Sequence, residues 1–263
     1  LVLLFGPWRL IFVVLAGYGS IMLAWAWVRL PETLRPEYRR TLAWRDMAEA
    51  IRMTVTDRQS LGYTLALTAT FGALTAYIAS IQQIVFDAFG AGDWIGLVFA
   101  AIAAPMALAS WTNSRVVGRY GLRRVGHSGA VAFAAVTLAH ALLAEAGLVS
   151  LPLFIVAQAL AMCGFAFASS NFSMLAMEHM GPIAGTASSV QGVIGTIGAA
   201  IIGFAIGQAF DGTVRPFLWG VALCATATVL LVAATEPRRL FARLSTDEEK
   251  AAERLPAPPP PEL

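Results

Sequence analysis

The chain has 263 residues, of which 58% are hydrophobic and only 13% charged, and its mean hydropathy is +0.69. Soluble domains carry about twice that share of charge, which excludes a water-soluble globule and points to lipid as the main solvent. The net charge of +2 is small, so its distribution says more than its size, and no nucleic-acid partner is expected.

Residues 1–6 read as the end of an apolar span that closes at a Gly-Pro-Trp turn, Gly6 to Trp8. With no initiating Met and no basic leader, this start reads as a cut inside a longer protein. The first full span is predicted at 10–28. Residues 29–60 form the longest loop. It opens RLPETLRPEYRR, where two prolines discourage helix. Then Trp44, Met47, Ile51 and Val55 recur at spacings of three to four between arginines, which predicts a short amphipathic helix on the inner membrane surface. Further spans are predicted at 61–86, 95–111, 129–144, 151–175, 183–209 and 217–235, seven in all, each near the length that crosses a bilayer. The tail, 236–263, is charged and then proline-rich, so it is expected to be disordered or polyproline II.

Loop charge orients these spans. Segments 29–60, 112–126 and 236–263 hold seven, four and five Lys or Arg, and the opposite side has only Arg9 and Arg215. If seven spans alternate, all three rich segments fall on one side. The positive-inside bias makes that side, with the C-terminus, cytoplasmic, in a multi-pass membrane protein.

No Asp, Glu, Lys or Arg lies in the middle of a predicted span. Asp87, Asp93, Glu145 and Asp211 sit near the outer ends, and Glu178 near an inner end. A central charge costs about 2.5–3.5 kcal/mol on insertion scales and is usually kept for function. A proton-coupling acid, if there is one, is therefore expected outside this sequence. His140, well inside a span, reads as a neutral hydrogen-bonding residue. Cys163 and Cys224 lack metal-ligand spacing and read as buried apolar fillers. Glu178 and His179 are adjacent with no third ligand nearby, so neither a metal site nor an enzyme is expected.

Two spans carry mixed stripes. Thr64, Thr68, Phe71, Thr75, Ile78 and Gln82 share one helical face, as do Phe154, Gln158, Ala161, Phe165, Ser169 and Phe172. Lipid does not reward Gln or Thr. Such faces either line a cavity for bulky amphipathic molecules or bind helices to one another. A third span is rich in small residues. Gly195, Ala199, Gly203 and Gly207 form a four-residue ladder, preceded by Gly181, Gly185 and Ser189. It reads as a helix built to be packed around, either statically or as a helix that moves.

The order of these features resembles the C-terminal half of a major facilitator superfamily transporter, and more closely the bicyclomycin-resistance (Bcr/CflA) type of drug/proton antiporter. RLPETL at 29–34 is similar to the exit from helix six of that type, and GPWRLIF at 6–12 to the outer turn before it. NSRVVGRYGLRRVG, from Asn113, resembles the basic loop between helices eight and nine, and MGPIAGTASSVQG, from Met180, the entry to helix eleven. The loop departs from the family pattern at Gly118, where an Asp is common, so a salt-bridge latch on it is not expected. Its arginines, Arg115, Arg119, Arg123 and Arg124, are expected to anchor the inner surface and to meet lipid headgroups or helix ends.

The resemblance implies an all-α, polytopic membrane helical bundle. Residues 1–28 would be the end of helix five and helix six, 29–60 the inter-half loop, 61–235 the C-terminal six-helix bundle and 236–263 the tail. It implies proton-coupled, polyspecific drug efflux by alternating access. The alternatives are a specific small-metabolite transporter of the same fold, or a half-transporter scaffold without transport. The two mixed stripes would fall on helices seven and ten, beside the central path. Substrate-binding residues are accordingly expected at Phe71, Thr75, Gln82, Gln158, Phe165 and Ser169, and moving, close-packed glycines at Gly185, Gly195, Gly203 and Gly207. No cofactor is expected beyond the proton as coupling ion. The expected partners are small amphipathic molecules, the bilayer and the missing N-terminal half.

Overall fold

A computed structural model of the chain describes residues 7, 9–30, 44–237 and 240–241. The readings placed on residues 1–6, on most of RLPETL and on the proline-rich tail lie outside these. Among the described residues the structure is helix and turn throughout, and seven helices are long and apolar enough to cross a membrane. The chain is an all-α, multi-pass membrane protein.

It divides into two units, Leu1–Thr41 and Leu42–Leu263. In the first, helix α1 (Arg9–Arg29) has an arginine at each end and none between. Its 21 residues rise about 31 Å, the thickness of a bilayer's hydrocarbon core.

The second unit begins with α2 (Trp44–Thr56) and continues with six spans. These are α3 (Arg58–Gln83), α4 (Ile95–Tyr120), α5 (Leu122–Glu145), α6 (Leu151–Met177), α7 (Ala184–Gln208) and α8 (Arg215–Thr235). The amphipathic segment is indeed a helix, and it packs on the protein through a face other than the apolar stripe. Ala50 and Thr54 are buried, and Ala50 packs with Met180, Ile183 and Ala187 at the start of α7, while Trp44 is 85% exposed. Small residues win the interface because they let two helices close up. The bulky stripe is left outside, which suits a helix at a membrane surface.

Asp57 starts α3 by accepting a 2.7 Å hydrogen bond from the Ser60 backbone N–H, a side-chain N-cap. From there α3 runs through the centre of the unit and packs against α6, α7 and α8. The Thr70 and Thr228 hydroxyls, 3.0 Å apart, join α3 to α8 inside apolar surroundings. Phe133, Phe154 and Phe217 fill the largest core cluster, with Phe154 against both Phe89 and Phe217.

Helix α5 crosses α6 with main chain close to main chain. A Cβ added to Gly164 would lie 2.8 Å from the Phe133 backbone nitrogen, and one added to Gly129 2.6 Å from Phe167 Cβ. Two glycines that read as unremarkable in the sequence thus set the spacing of a whole helix pair.

The basic segment 112–126 is hardly a loop. Helix α4 continues to Tyr120 and α5 starts at Leu122, with Gly121 between them at φ +84°. Hydropathy marks where lipid stops, not where hydrogen bonding stops, and arginine is a good helix former. The break comes at the residue that tolerates positive φ.

Candidate functional site

A cavity of about 580 Å³ lies between α3, α6 and α7. Thr64, Leu67, Phe71 and Thr75 line it from α3, and Ser173 and Met177 from α6. The α7 wall contains Ser188, Gln191, Gly192, Gly195 and Thr196. The α3 wall runs from Thr64 to Thr75, a rise of about 16 Å. Its surface mixes an aromatic ring, a thioether, hydroxyls and one carboxamide, and no charged side chain among the described residues lines it.

Gln191 fixes the end of the cavity nearer Ser60. Its Nε2 donates to the Ser60 hydroxyl and to the Ala176 carbonyl, each at 3.0 Å, so one side chain spans α3, α6 and α7. The α3 threonines turn their hydroxyls back onto their own helix. Thr64 donates to the Ser60 carbonyl at 2.7 Å and Thr75 to the Phe71 carbonyl at 2.9 Å. They therefore show the cavity mainly a methyl group and an acceptor oxygen.

Of the expected binding residues, the structure brings Phe71 and Thr75 to the cavity wall. Phe165 stands behind Phe71, its ring edge-on at 5.5 Å, buried to 3% exposure. Ser169 is buried on α6 away from the cavity lining, and Gln82 is exposed beyond it. Gln158 is buried at 1% exposure, and its Nε2 has no partner among the described residues. The α6 stripe thus faces the protein interior, and α6 meets the cavity with Ser173 and Met177 instead. The helical period identified a polar face, but the direction in which that face points depends on where α3 and α7 sit.

Gln191, Ser188 and Thr196 were missed. They lie in the stretch whose small residues read as packing, and Gln191 was the signal available there. A carboxamide among glycines and alanines has no reason to face lipid. The ladder itself divides. Ala199 is buried, and Gly203 lies under Thr75, a Cβ there falling 2.5 Å from its methyl. Gly207 has only ordinary contacts, from 3.8 Å, and nothing stands within 4 Å of a Cβ at Gly185, Gly192 or Gly195. Only Ala187, Ala199 and Gly203 of α7 are buried, so within this unit the helix is packed along one narrow line rather than all round.

A second assembly closes the arginine-rich end of the bundle, and it corrects the reading of Arg123 as a surface anchor. Its Nη2 lies 2.6 Å from Glu178, and its Nε and Nη2 each lie 2.9 Å from Glu236. Gln59 bonds both Arg123 and Glu178 and donates to the Leu175 carbonyl at 3.0 Å. The expected latch-breaking Gly118 is irrelevant to this, because the partners come from the ends of α6 and α8 rather than from the loop.

Tyr63 and His127 extend the network. The Phe241 backbone N–H donates to His127 Nδ1 at 3.2 Å, so Nδ1 is the acceptor and Nε2 carries the proton. Nε2–H then donates to the Tyr63 oxygen at 2.9 Å, and Tyr63 passes its own hydrogen to Glu236 at 2.9 Å. Burial by itself would raise the carboxyl groups of Glu178 and Glu236. Hydrogen bonds from Arg123 outweigh it, helped by Gln59 at Glu178 and by Tyr63 at Glu236, and both are held below the usual carboxylate range. His140, read as a hydrogen-bonding residue, packs against Phe154, and its Nε2 has no partner among the described residues.

The family model described as Major Facilitator Superfamily matches residues 1–203. The chain is 27% identical over 247 residues to a bicyclomycin resistance protein homolog of Haemophilus influenzae, covering 91% of this chain and 60% of that protein. It is 26% identical over 211 residues to the uncharacterized MFS-type transporter YdgK of Bacillus subtilis, covering 79% of this chain and 52% of that one. The chain thus spans little more than half the length of these relatives. No solved structure matches it.

Proposed function

The chain belongs to the major facilitator superfamily, and from that premise we propose that it is the C-terminal part of a proton-coupled exporter of bulky amphipathic compounds in a bacterial inner membrane. The observation that carries this reading is the uncharged cavity between α3, α6 and α7. Its 580 Å³ falls in the range of sites for drug-sized ligands. Phe71 and Met177 offer polarizable surface that adapts to many shapes, and Gln191 offers one oriented carboxamide. A site without fixed charge favours neutral or weakly cationic amphipaths over anionic metabolites. The similarity to a bicyclomycin resistance protein homolog supports the same class of substrate.

On this reading the complementary half of the transporter supplies the rest of the path and the carboxylate that takes the proton. Substrate crosses by alternating access, with no bond made or broken. The arginine-rich end is the cytoplasmic one. There the Arg123 network ties α3, α5 and the ends of α6 and α8 into one body that moves as a unit.

The test is transport by the full-length protein in proteoliposomes. An imposed pH gradient is expected to drive accumulation of amphipathic dyes. Phe71→Ala and Gln191→Ala are expected to change dye selectivity at least about tenfold, the effect of losing about 1.4 kcal/mol of differential binding. Dye movement indifferent to the gradient would remove proton coupling. Unchanged selectivity in both variants would remove the cavity as the binding site.

A further inference from the structure

Helices α4 and α5 both pack on α6, but far less on one another. This leaves a groove of about 470 Å³ on the outside of the bundle, floored by α6. Leu160, Cys163, Gly164 and Phe167 make the floor. Val116 and Tyr120 form one wall, and Arg124, Ser128, Ala132 and Val136 the other. The groove exists because Gly129 and Gly164 draw α5 onto α6 without side chains to fill the space beside their crossing.

We propose that this groove binds one anionic phospholipid, with an acyl chain along α5 and its phosphate on Arg124. The first argument is charge. Arg123 and Arg124 are neighbours with opposite fates. Arg123 turns inward to Glu178 and Glu236, and its side chain is 11% exposed. Arg124 is exposed at the mouth of the groove, with no carboxylate partner among the described residues. Its guanidinium lies 5.9 Å from the centre of the Tyr120 ring, which also lines the groove. A cation held at the edge of an apolar channel is complementary to a phosphate with a hydrocarbon chain attached.

The second argument is length. From Arg124 to Val136 the helix rises about 18 Å, close to the roughly 15 Å of hydrocarbon in one leaflet. An acyl chain with its headgroup at Arg124 would end near Leu160 and Val136, where the groove ends. The third is depth. Ser128 lies one helical turn further in, about 6 Å, at the level of the glycerol esters below a phosphate. It is the only hydroxyl on the α5 wall, and the residues beyond it towards Val136 are apolar.

The experiment uses the full-length protein in nanodiscs with a trace of phosphatidylglycerol carrying a photoreactive diazirine in the acyl chain, and phosphatidylcholine with the same chain as reference. Crosslinks are mapped by mass spectrometry of peptides. Phosphatidylglycerol is expected to label residues 128–136 and 160–167 about fivefold more than phosphatidylcholine, the preference that one arginine near a membrane surface confers. Arg124→Gln is expected to bring the two lipids level, and Arg115→Gln to leave the preference intact. Ala132→Phe, which fills the groove, is expected to remove labelling by both. Equal labelling by the two lipids in the wild-type protein would overturn the proposal, as would an unchanged preference in Arg124→Gln. Labelling spread evenly over the outer faces of the other helices would overturn it too. If Ala132→Phe fails to fold, the Arg124 and Arg115 variants still decide.

Discussion

Helices α5 and α6 cross at Gly129 and Gly164 with backbone against backbone, whereas α3 and α7 touch at Gly198 and Gly203 and then part beside Gly192 and Gly195 to leave the cavity. Both crossings use glycine. At the first, the opposing helix brings its own main chain to the gap, so the missing side chain is replaced by protein. At the second, Phe71 and Leu67 stand beside the gap, so the missing side chain leaves room for something else. A glycine therefore means a joint or a vacancy according to its opposite face, and the bundle has a fixed side and an open side.

The comparison is broken most forcefully at the fixed side. Gly164→Leu would push a side chain into the Phe133 backbone, which has no rotamer to give. A loss of at least about 3 kcal/mol is expected, at the upper end for overpacking. Size-exclusion profiles in detergent should show aggregated or absent protein. The same substitution at Gly195 meets open space and is expected to leave the profile monodisperse while it shrinks the cavity. Equal damage from both would show that the open side is packed after all.

Next in size is Arg123→Gln, which leaves Glu178 and Glu236 facing each other without their cation. A loss of about 3 kcal/mol is expected, because Glu236 is buried and its charge would be unmatched. Arg124→Gln, one residue away, should cost less than about 0.5 kcal/mol. Acid sharpens this pair. Both carboxyls lie below their ordinary value of 4.5 in the folded protein, so their contribution is whole above that value. It is lost as the pH falls through the lowered folded values. The melting temperature should hold from pH 7 to about 5 and fall below about 4.5. In Arg123→Gln the fall should be absent or reversed, since protonation then relieves repulsion between the two acids. A parallel acid fall in both proteins would mean that other groups set the pH dependence.

A smaller effect than the loss of Arg123 tests the open side alone. Gly195→Ala adds a methyl group to a helical position with nothing within 4 Å. It should stabilise the protein by about 0.5–1 kcal/mol, through helix propensity and a less free unfolded chain. A loss instead would place a neighbour there.

Much of this was legible in the residues. The seven spans followed from runs of about 20 apolar residues, and α2 from the spacing of its apolar residues. The α3 stripe led to Phe71 and Thr75 because a polar face of period 3.6 must turn away from lipid. The α6 stripe misled, since Gln158, Phe165 and Ser169 face the protein interior rather than the cavity. Gln191 was hidden by the glycines around it, and Arg123 by the arginines beside it. A charge in a basic run looks like every other charge until an acid from another helix reaches it.

The sequence by itself determined that this chain lives in lipid, which segments are long and apolar enough to cross it, where the arginines gather and which family it resembles. Those are properties of segments, set by transfer free energy and by local periodicity, and each segment carries them whatever its neighbours do. Only the tertiary structure decided that Arg123 is bound and Arg124, among the described residues, free of carboxylates, and that Gly164 is a joint and Gly195 a vacancy. It also decided that α7, not α6, supplies the carboxamide of the cavity. Those depend on which helix stands opposite, at what depth and at what rotation. Distances of a few ångströms between residues tens or hundreds of positions apart are set by the packing of the whole bundle.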